Sequence, residues 1–144
     1  MTRLAAVLAL LFVIAPLVAS ACGGGGEEKP VATAELPEGF PKDFPTFEKA
    51  SLNAATRAST PQGEGFVVQW VTEESTDKVR SFYEKELAKE PWQVDNVQEI
   101  PDQPVTVIAF ARRSNRQEAG TVAITAVQED GQRTTIAVQI AVVQ

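Results

Sequence analysis

Histidine is absent from the 144-residue chain and cysteine occurs once, at position 22, and each shortage excludes familiar chemistry. Without histidine the chain cannot build a Ser-His-Asp or Cys-His catalytic group, nor the His-Glu-x-x-His zinc motif. With a single thiol it can form no internal disulfide and no zinc or copper site of the usual cysteine and histidine ligands. We therefore predict no metal and no other cofactor.

Carboxylates are the remaining side chains that could do chemistry, and their spacing does not favour it. Glu73 and Glu74 are adjacent, so their side chains point apart, whereas glycoside hydrolysis needs two carboxyl groups that face each other across a cleft. Glu129-Asp130-Gly131 lacks the regularly spaced oxygen ligands of a calcium loop and is typical of a turn. The sequence therefore predicts that the protein is not an enzyme.

Positive charge is also scarce, since 13 Lys and Arg residues stand against 19 Asp and Glu, for a net charge of -6. Nucleic-acid binding needs a surface dominated by lysine and arginine, so no nucleic-acid partner is expected. The one basic concentration is Arg112, Arg113 and Arg116. These arginines are candidate contacts for lipid headgroups or an acidic partner. The alternative is pairing with surface carboxylates, where an exposed pair contributes about 0 to 1 kcal/mol.

The first 22 residues have the layout of a secretory signal. Arg3 precedes an apolar run over residues 4–18, and the small residues 19–21 lead to Cys22. The run is shorter than the roughly 20 residues that a membrane-spanning helix needs, which disfavours an uncleaved anchor. Cleavage without modification would leave a lone free thiol in an oxidising compartment, which is unusual. A lipid-modified Cys22 accounts for the cysteine better.

This segment resembles the lipobox of bacterial prelipoproteins, although Ala19 stands where Leu or Val is usual. The resemblance implies that residues 1–21 are a type II signal peptide and that Cys22 becomes the acylated, palmitate-bearing first residue of the mature chain. Two or more acyl chains hold a protein stably at a membrane. The resemblance therefore implies a lipoprotein anchored to the cell membrane or the outer membrane, with its domain on the extracytoplasmic side of the envelope. Gly23 in place of Asp resembles outer-membrane sorting in a host with two membranes.

Residues 22–35 are predicted to form a flexible linker. Four glycines at 23–26 precede a bland polar stretch, a composition that cannot bury enough apolar surface to order itself. The glycines are not a phosphate loop, because no Lys-Ser or Lys-Thr follows them. A coil of this length spans about 20 Å on average, which serves either to reach a partner or to hold the domain off the bilayer. Residues 36–144 have a length that fits a single domain.

Residues 36–47, here called the Pro-Phe segment, alternate prolines with aromatic residues. Its prolines and phenylalanines are Pro37, Phe40, Pro41, Phe44, Pro45 and Phe47. Proline favours extended and turn conformations over helix. The three phenylalanines could form a recognition surface for an envelope protein, or they could pack over one end of the core. Packing is favoured, because exposed aromatic clusters are rare on soluble domains unless they bind something.

Hydrophobic periodicity predicts six strands and one helix. The predicted strands are residues 49–58, 66–71, 92–99, 105–112, 120–128 and 133–142, and the helix is residues 76–89. Ser75 is a suitable helix cap, and Pro91 ends the helix. A turn-rich stretch, residues 59–65, joins the first two strands. The order β-β-α-β-β-β-β predicts an α+β domain in which an antiparallel sheet of about six strands carries the helix on one face.

The last two strands predict their own register. A three-residue loop pairs Ile124 with Ile136 and Val122 with Val138, whereas a two-residue loop would put the large residues on opposite faces. The three-residue loop is favoured because the large residues then share one face under the helix. The opposite face carries small or polar residues: Thr121, Ala123, Thr125, Thr135, Ala137 and Gln139. That face is either solvated or an interaction surface.

The helix carries a single apolar stripe with residues three and four apart, followed by a tryptophan. The residues of this pattern are Val79, Phe82, Tyr83, Leu87 and Trp92. The pattern resembles that of small uncharacterised bacterial envelope domains, in which glycine is usual at the position of Pro91. The resemblance implies a shared fold and carries no activity.

Two functions fit these observations. The first is a non-enzymatic lipoprotein whose domain binds another envelope protein through the Pro-Phe segment or the small-residue face. The alternative is a carrier of a small apolar molecule or lipid, held between helix and sheet beside Phe66, Trp70, Phe82 and Tyr83. A pocket of several hundred cubic ångströms in the structure would favour the carrier, whereas a solid core with an exposed apolar patch would favour partner binding.

Overall fold

The protein is described by a computed structural model that covers residues 31–33, 35–127 and 133–144. Its elements are β1 (Val31–Thr33), β2 (Ser51–Thr60), β3 (Gly63–Thr72), α1 (Thr76–Glu86), β4 (Trp92–Glu99), β5 (Val105–Arg112), β6 (Glu118–Val127) and β7 (Arg133–Val143). All the strands form one antiparallel sheet in the order β1-β2-β3-β7-β6-β5-β4. The predicted α+β domain, with six long strands and one helix in the order β-β-α-β-β-β-β, is confirmed.

A short seventh strand extends one edge of the sheet. In β1, Val31 pairs with Arg57 and Thr33 pairs with Ala55 of β2. The sequence assigns these residues to the linker, since their composition gives no strand signal. The pairing is made by backbone groups, which an edge strand such as β2 otherwise leaves unpaired.

The turn between β2 and β3 is tighter than predicted. The strands continue to Thr60 and resume at Gly63, which are paired with each other, so only two residues form the turn. Gly63 has a φ of 143°, and a Cβ there would lie 2.1 Å from the carbonyl oxygen of Val142. The prediction of a turn over residues 59–65 was therefore wrong for most of that stretch, because its small and polar residues lie in strands.

The helix begins where the sequence predicts and ends sooner. The hydroxyl of Ser75 accepts a hydrogen bond from the backbone N–H of Lys78 at 3.4 Å, which is the expected cap. The helix ends at Glu86 rather than at residue 89. After Glu86 the chain passes into turns, in which the N–H of Lys89 donates to the carbonyl oxygen of Glu86 at 3.2 Å and that of Trp92 donates to the carbonyl oxygen of Lys89 at 2.9 Å.

The predicted register of the last hairpin is confirmed. Ile124 pairs with Ile136, and Val122 pairs with Val138. The predicted loop residues 129–131 lie outside the described residues. The large residues of both strands are buried beneath the helix, together with Val79.

Candidate functional site

The space between helix and sheet is filled by aromatic side chains. Phe44, only 5% exposed, lies with its ring centroid 6.5 Å from Trp70, 6.1 Å from Tyr83 and 5.4 Å from Phe110. Phe40 is buried beside it, at 5.7 Å. The Pro-Phe segment thus packs into the core, which is the arrangement that the sequence favours, and it occupies the space in which the carrier hypothesis places an apolar ligand.

Phe47 continues this layer towards the helix surface. It is half-buried, with its ring centroid 5.2 Å from that of Phe82. Burial raises the pKa of the neighbouring Tyr83, an effect that the backbone of Phe47 partly opposes.

Glu74 joins the end of β3 to the helix through side-chain and backbone contacts. Its carboxylate accepts hydrogen bonds from Lys49 Nζ at 2.6 Å and Lys78 Nζ at 2.7 Å. These two ammonium groups, Lys49 first, lower the pKa of Glu74 to about 2. Its backbone carbonyl accepts a hydrogen bond from Thr134 Oγ1 at 2.7 Å. The contacts with Lys49, Lys78 and Thr134 give Glu74 a structural role. Glu73 is exposed and lines the same concavity as Glu74.

Arg112 of β5 connects the Pro-Phe segment to the neighbouring strand β6. Its guanidinium donates hydrogen bonds to both carboxylate oxygens of Asp43, at 2.8 and 2.9 Å, and to Glu118. It lies 4.4 Å from the centroid of the Trp92 ring, within the range of a cation–π contact. The hydrogen bonds from Arg112 lower the pKa of Asp43, and those to Asp43 and Glu118 raise the pKa of Arg112.

The other two arginines are also engaged within the domain. Arg113 donates to the carbonyl oxygens of Trp92 at 2.8 Å and Ala88 at 2.9 Å. Arg116 donates to Asp95 at 2.8 Å. The basic concentration of the sequence is thus used in intramolecular contacts, which supports carboxylate pairing over headgroup binding.

The sheet face turned away from the helix, here called the outer face, carries no charge over its centre. In β3, β6 and β7 it presents Gly65, Val67, Gln69, Val71, Ala119, Thr121, Ala123, Thr125, Thr135, Ala137, Gln139 and Ala141, which alternate with inward residues. None of these residues is charged, in a chain of which 22% is charged. Arg133, which pairs with Val127, lies on this face at the end of the strands. The six small or polar residues that the sequence places on one face of the last hairpin all lie here.

A hollow of about 420 Å³ lies in the outer face near the β2–β3 hairpin. Its lining includes Ala58 and Gly65 from that hairpin and Ala119 and Ala141 from β6 and β7. Val67, which is 48% exposed, forms part of its wall. The contribution of β2 and β3 is not predicted from the sequence, because Gly65 falls in the stretch predicted as a turn. Extending the alternation of Phe66 and Val68 backwards would have placed Gly65 outward in the strand.

Two glycines line this hollow, Gly65 and Gly120, and the fold requires glycine only at position 120. A Cβ at Gly65 would meet only the carbonyl oxygen of Ala58, at 4.0 Å. By contrast, a Cβ at Gly120 would lie 2.0 Å from the carbonyl oxygen of Gln139. Glycine within a strand weakens it unless another group must approach closely. Gly65 therefore keeps space open at the surface, whereas Gly120 is needed for packing inside the domain.

A second concavity, here called the helix-start pocket, lies between the first turn of α1 and the β4–β5 loop. Its volume is about 470 Å³, and it is lined by Thr76, Glu99, Thr106, Ile124 and the loop. Arg80 of the helix donates a hydrogen bond to Glu99 nearby. This pocket reaches the inner face at its rim, away from the aromatic layer.

Other site predictions fall partly beyond the structure. Cys22 lies outside the described residues. Within the described ranges, no group of three or more His, Cys, Asp or Glu side chains is arranged to hold a metal ion. In the same ranges, no helix is both long and apolar enough to span a bilayer.

Comparison with known proteins gives one match. A family described as START domain-like matches residues 52–138, from β2 to the middle of β7 and including the helix, which is more than half of the chain. No curated protein and no solved structure matches the chain. The match spans the hairpins that form both the outer face and the sheet beneath the helix. The chain therefore belongs to the START domain-like family.

Proposed function

We propose that this protein is a non-enzymatic lipoprotein of the bacterial envelope, anchored through Cys22, and that its outer face binds a protein partner. The observation that carries the proposal is the contrast between the two sides of the sheet. The centre of the inner side is filled by the Pro-Phe segment and its pocket lies at the rim, whereas the outer side exposes an uncharged surface with a hollow. Exposed patches of this kind are typical of interaction sites.

The chemistry of the outer face suits a protein surface. Its alanines, threonines and glycine allow a partner backbone to come close, and its threonine and glutamine side chains offer hydrogen bonds at the rim. Because the face carries no charge at its centre, binding costs no desolvation of ions there. The acidic and basic side chains described above are paired at other sites of the domain.

Site-specific photo-crosslinking in cells tests this proposal. A benzophenone amino acid is placed at Thr121, on the rim of the hollow, or at Leu36, which is 45% exposed and lies in the Pro-Phe segment. The proposal expects a protein adduct in the membrane fraction from position 121 and little from position 36. Equal yields at the two positions, or no adduct at either, would contradict it.

A second candidate function is the carriage of a small apolar molecule. Membership of a START domain-like family is compatible with a ligand-binding fold, and the helix-start pocket has the volume for a small ligand. A fluorescent fatty acid serves as the probe. Carriage predicts saturable binding that Thr106→Trp abolishes, because the indole would fill the pocket, and that Gly65→Val leaves unchanged.

A further inference from the structure

We propose that the partner of the outer face is a second copy of this chain, docked face to face in a two-fold symmetric dimer, with Val67 of each copy in the Gly65 hollow of the other. This inference rests on the proposed function, because it names the partner of the same surface. It adds a stoichiometry, a symmetry and a pair of contacting residues.

The first support is that the hollow and a matching projection lie side by side. Val67 is 48% exposed and stands two residues from Gly65 on β3, about 6.7 Å along the strand. The two-fold axis lies in the interface and crosses β3 at the level of Phe66. Rotation about this axis places Val67 of each copy over Gly65 of the other copy. An interface of this symmetry needs a self-complementary patch, and a hollow beside a projection provides one.

The second support is that the glycine serves no purpose inside one copy. A Cβ at Gly65 would be in open space apart from a contact of 4.0 Å with the Ala58 carbonyl oxygen. Packing of a second sheet at about 10 Å accounts for a missing side chain at this point. Alanines on either side of Gly65, at positions 58 and 141, widen the same hollow.

The third support is the size and charge of the surface. Five neighbouring strands about 4.8 Å apart and roughly 30 Å long give a face on the order of 700 Å². A stable protein interface of standard size uses about 800 Å² from each partner. Two copies of an acidic chain would repel each other through charged surfaces, and the uncharged centre of the outer face is where they can meet.

A lipid bilayer is a less suitable occupant of this face. Membrane-binding surfaces bury large apolar side chains next to lysines and arginines. The centre of the outer face carries mainly alanine, threonine and glycine, with Val67 as its exposed large apolar residue. Small side chains gain little from burial in lipid but allow two backbones to approach closely.

Cysteine crosslinking of the full-length protein in its own membranes tests the dimer. Val67→Cys and Leu36→Cys are treated with a bismaleimide whose spacer is about 10 Å, the distance between packed sheets. The two positions have matched exposure, 48% and 45%, and the parent chain sets the background from Cys22. We expect a product of twice the chain mass from Val67→Cys at least fivefold above that from Leu36→Cys. Adding Gly65→Val should return the yield to the control value.

The outcomes separate this inference from the proposed function. If the Thr121 photo-adduct contains only peptides of this chain, and Val67→Cys gives the dimer, both stand. If the photo-adduct contains a different protein and Val67→Cys gives no dimer above the control, the dimer is overturned while partner binding survives. If position 121 crosslinks only to lipid, or to nothing, both fail.

Discussion

The ring centroids of Phe44 and Phe110 lie 5.4 Å apart, so a residue of the Pro-Phe segment packs directly on β5 of the sheet. Replacing Phe44 by alanine should lower the free energy of unfolding by about 3 to 5 kcal/mol, because it removes a large buried ring and leaves a cavity among five other aromatic residues. Urea denaturation followed by tryptophan fluorescence measures the change.

Phe47→Ala is the matched control for that substitution. Phe47 is half-buried and touches the helix surface rather than the sheet, so its loss should be clearly the smaller. Equal effects of the two substitutions would show that Phe44 is not the centre of the aromatic layer.

Adding a side chain at Gly65 and at Gly120 should have opposite effects on the stability of the protein. Gly120→Ala should destabilise the protein by about 3 kcal/mol, since its Cβ would overlap the Gln139 carbonyl oxygen. Gly65→Val should leave stability unchanged or raise it by about 0.5 to 1 kcal/mol, because strand propensity increases and space is open. Thermal unfolding in dilute solution, where association contributes least, compares them. A strong loss of stability in Gly65→Val would mean that the glycine is structural.

Glu74 should make the free energy of unfolding depend on pH. Its pKa is lowered to about 2 from an ordinary value of 4.5, so the folded state favours the ionised carboxylate. The resulting stability is fully present above about pH 4.5 and is lost as pH falls towards 2. Glu74→Gln should therefore be less stable than the parent at neutral pH, and the difference should shrink below about pH 4.

Denaturation midpoints over this pH range check that expectation. Glu73→Gln, at the exposed neighbouring position, controls for the loss of one carboxylate. A Glu74→Gln difference that stays constant down to about pH 2 would argue against the two lysine contacts as its cause.

Mass spectrometry tests the predicted lipid anchor at Cys22 directly. Intact mass spectrometry of the membrane fraction should show a chain that starts at Cys22 and carries added acyl mass, and Cys22→Ala should lack it. A soluble, unmodified product from the parent sequence would remove the anchor from the account and leave the fold unaffected.

The regular part of the fold follows from periodicity in the sequence. Alternation in residues 66–71 and the three-and-four spacing from Val79 to Leu87 determine which side of each element is buried, and matching large residues determine the register of the last hairpin. Ser75 supplies the helix start. These signals are local, so one sequence is enough to recognise them.

The remaining features of the fold depend on contacts between distant parts of the chain, which local sequence patterns do not reveal. β1 is held by backbone pairing to β2, and its residues look like linker. Gly65 looks like a turn residue, yet the hairpin turns at residues 61 and 62 and leaves it in mid-strand. The bonds of Arg112 to Asp43 join positions 69 residues apart, and only the folded chain shows that the arginine cluster is paired.

The measurement that tests the central claim most directly compares two substitutions that fill two different spaces. Gly65→Val fills the outer-face hollow, and Thr106→Trp fills the helix-start pocket. Each is combined with the photo-crosslinker at Thr121 in intact cells, and the adduct is quantified against the parent chain. Binding through the outer face predicts that Gly65→Val removes the adduct while Thr106→Trp keeps it. Retention of the adduct in Gly65→Val, with the same amount of folded protein in the membrane, would contradict the account.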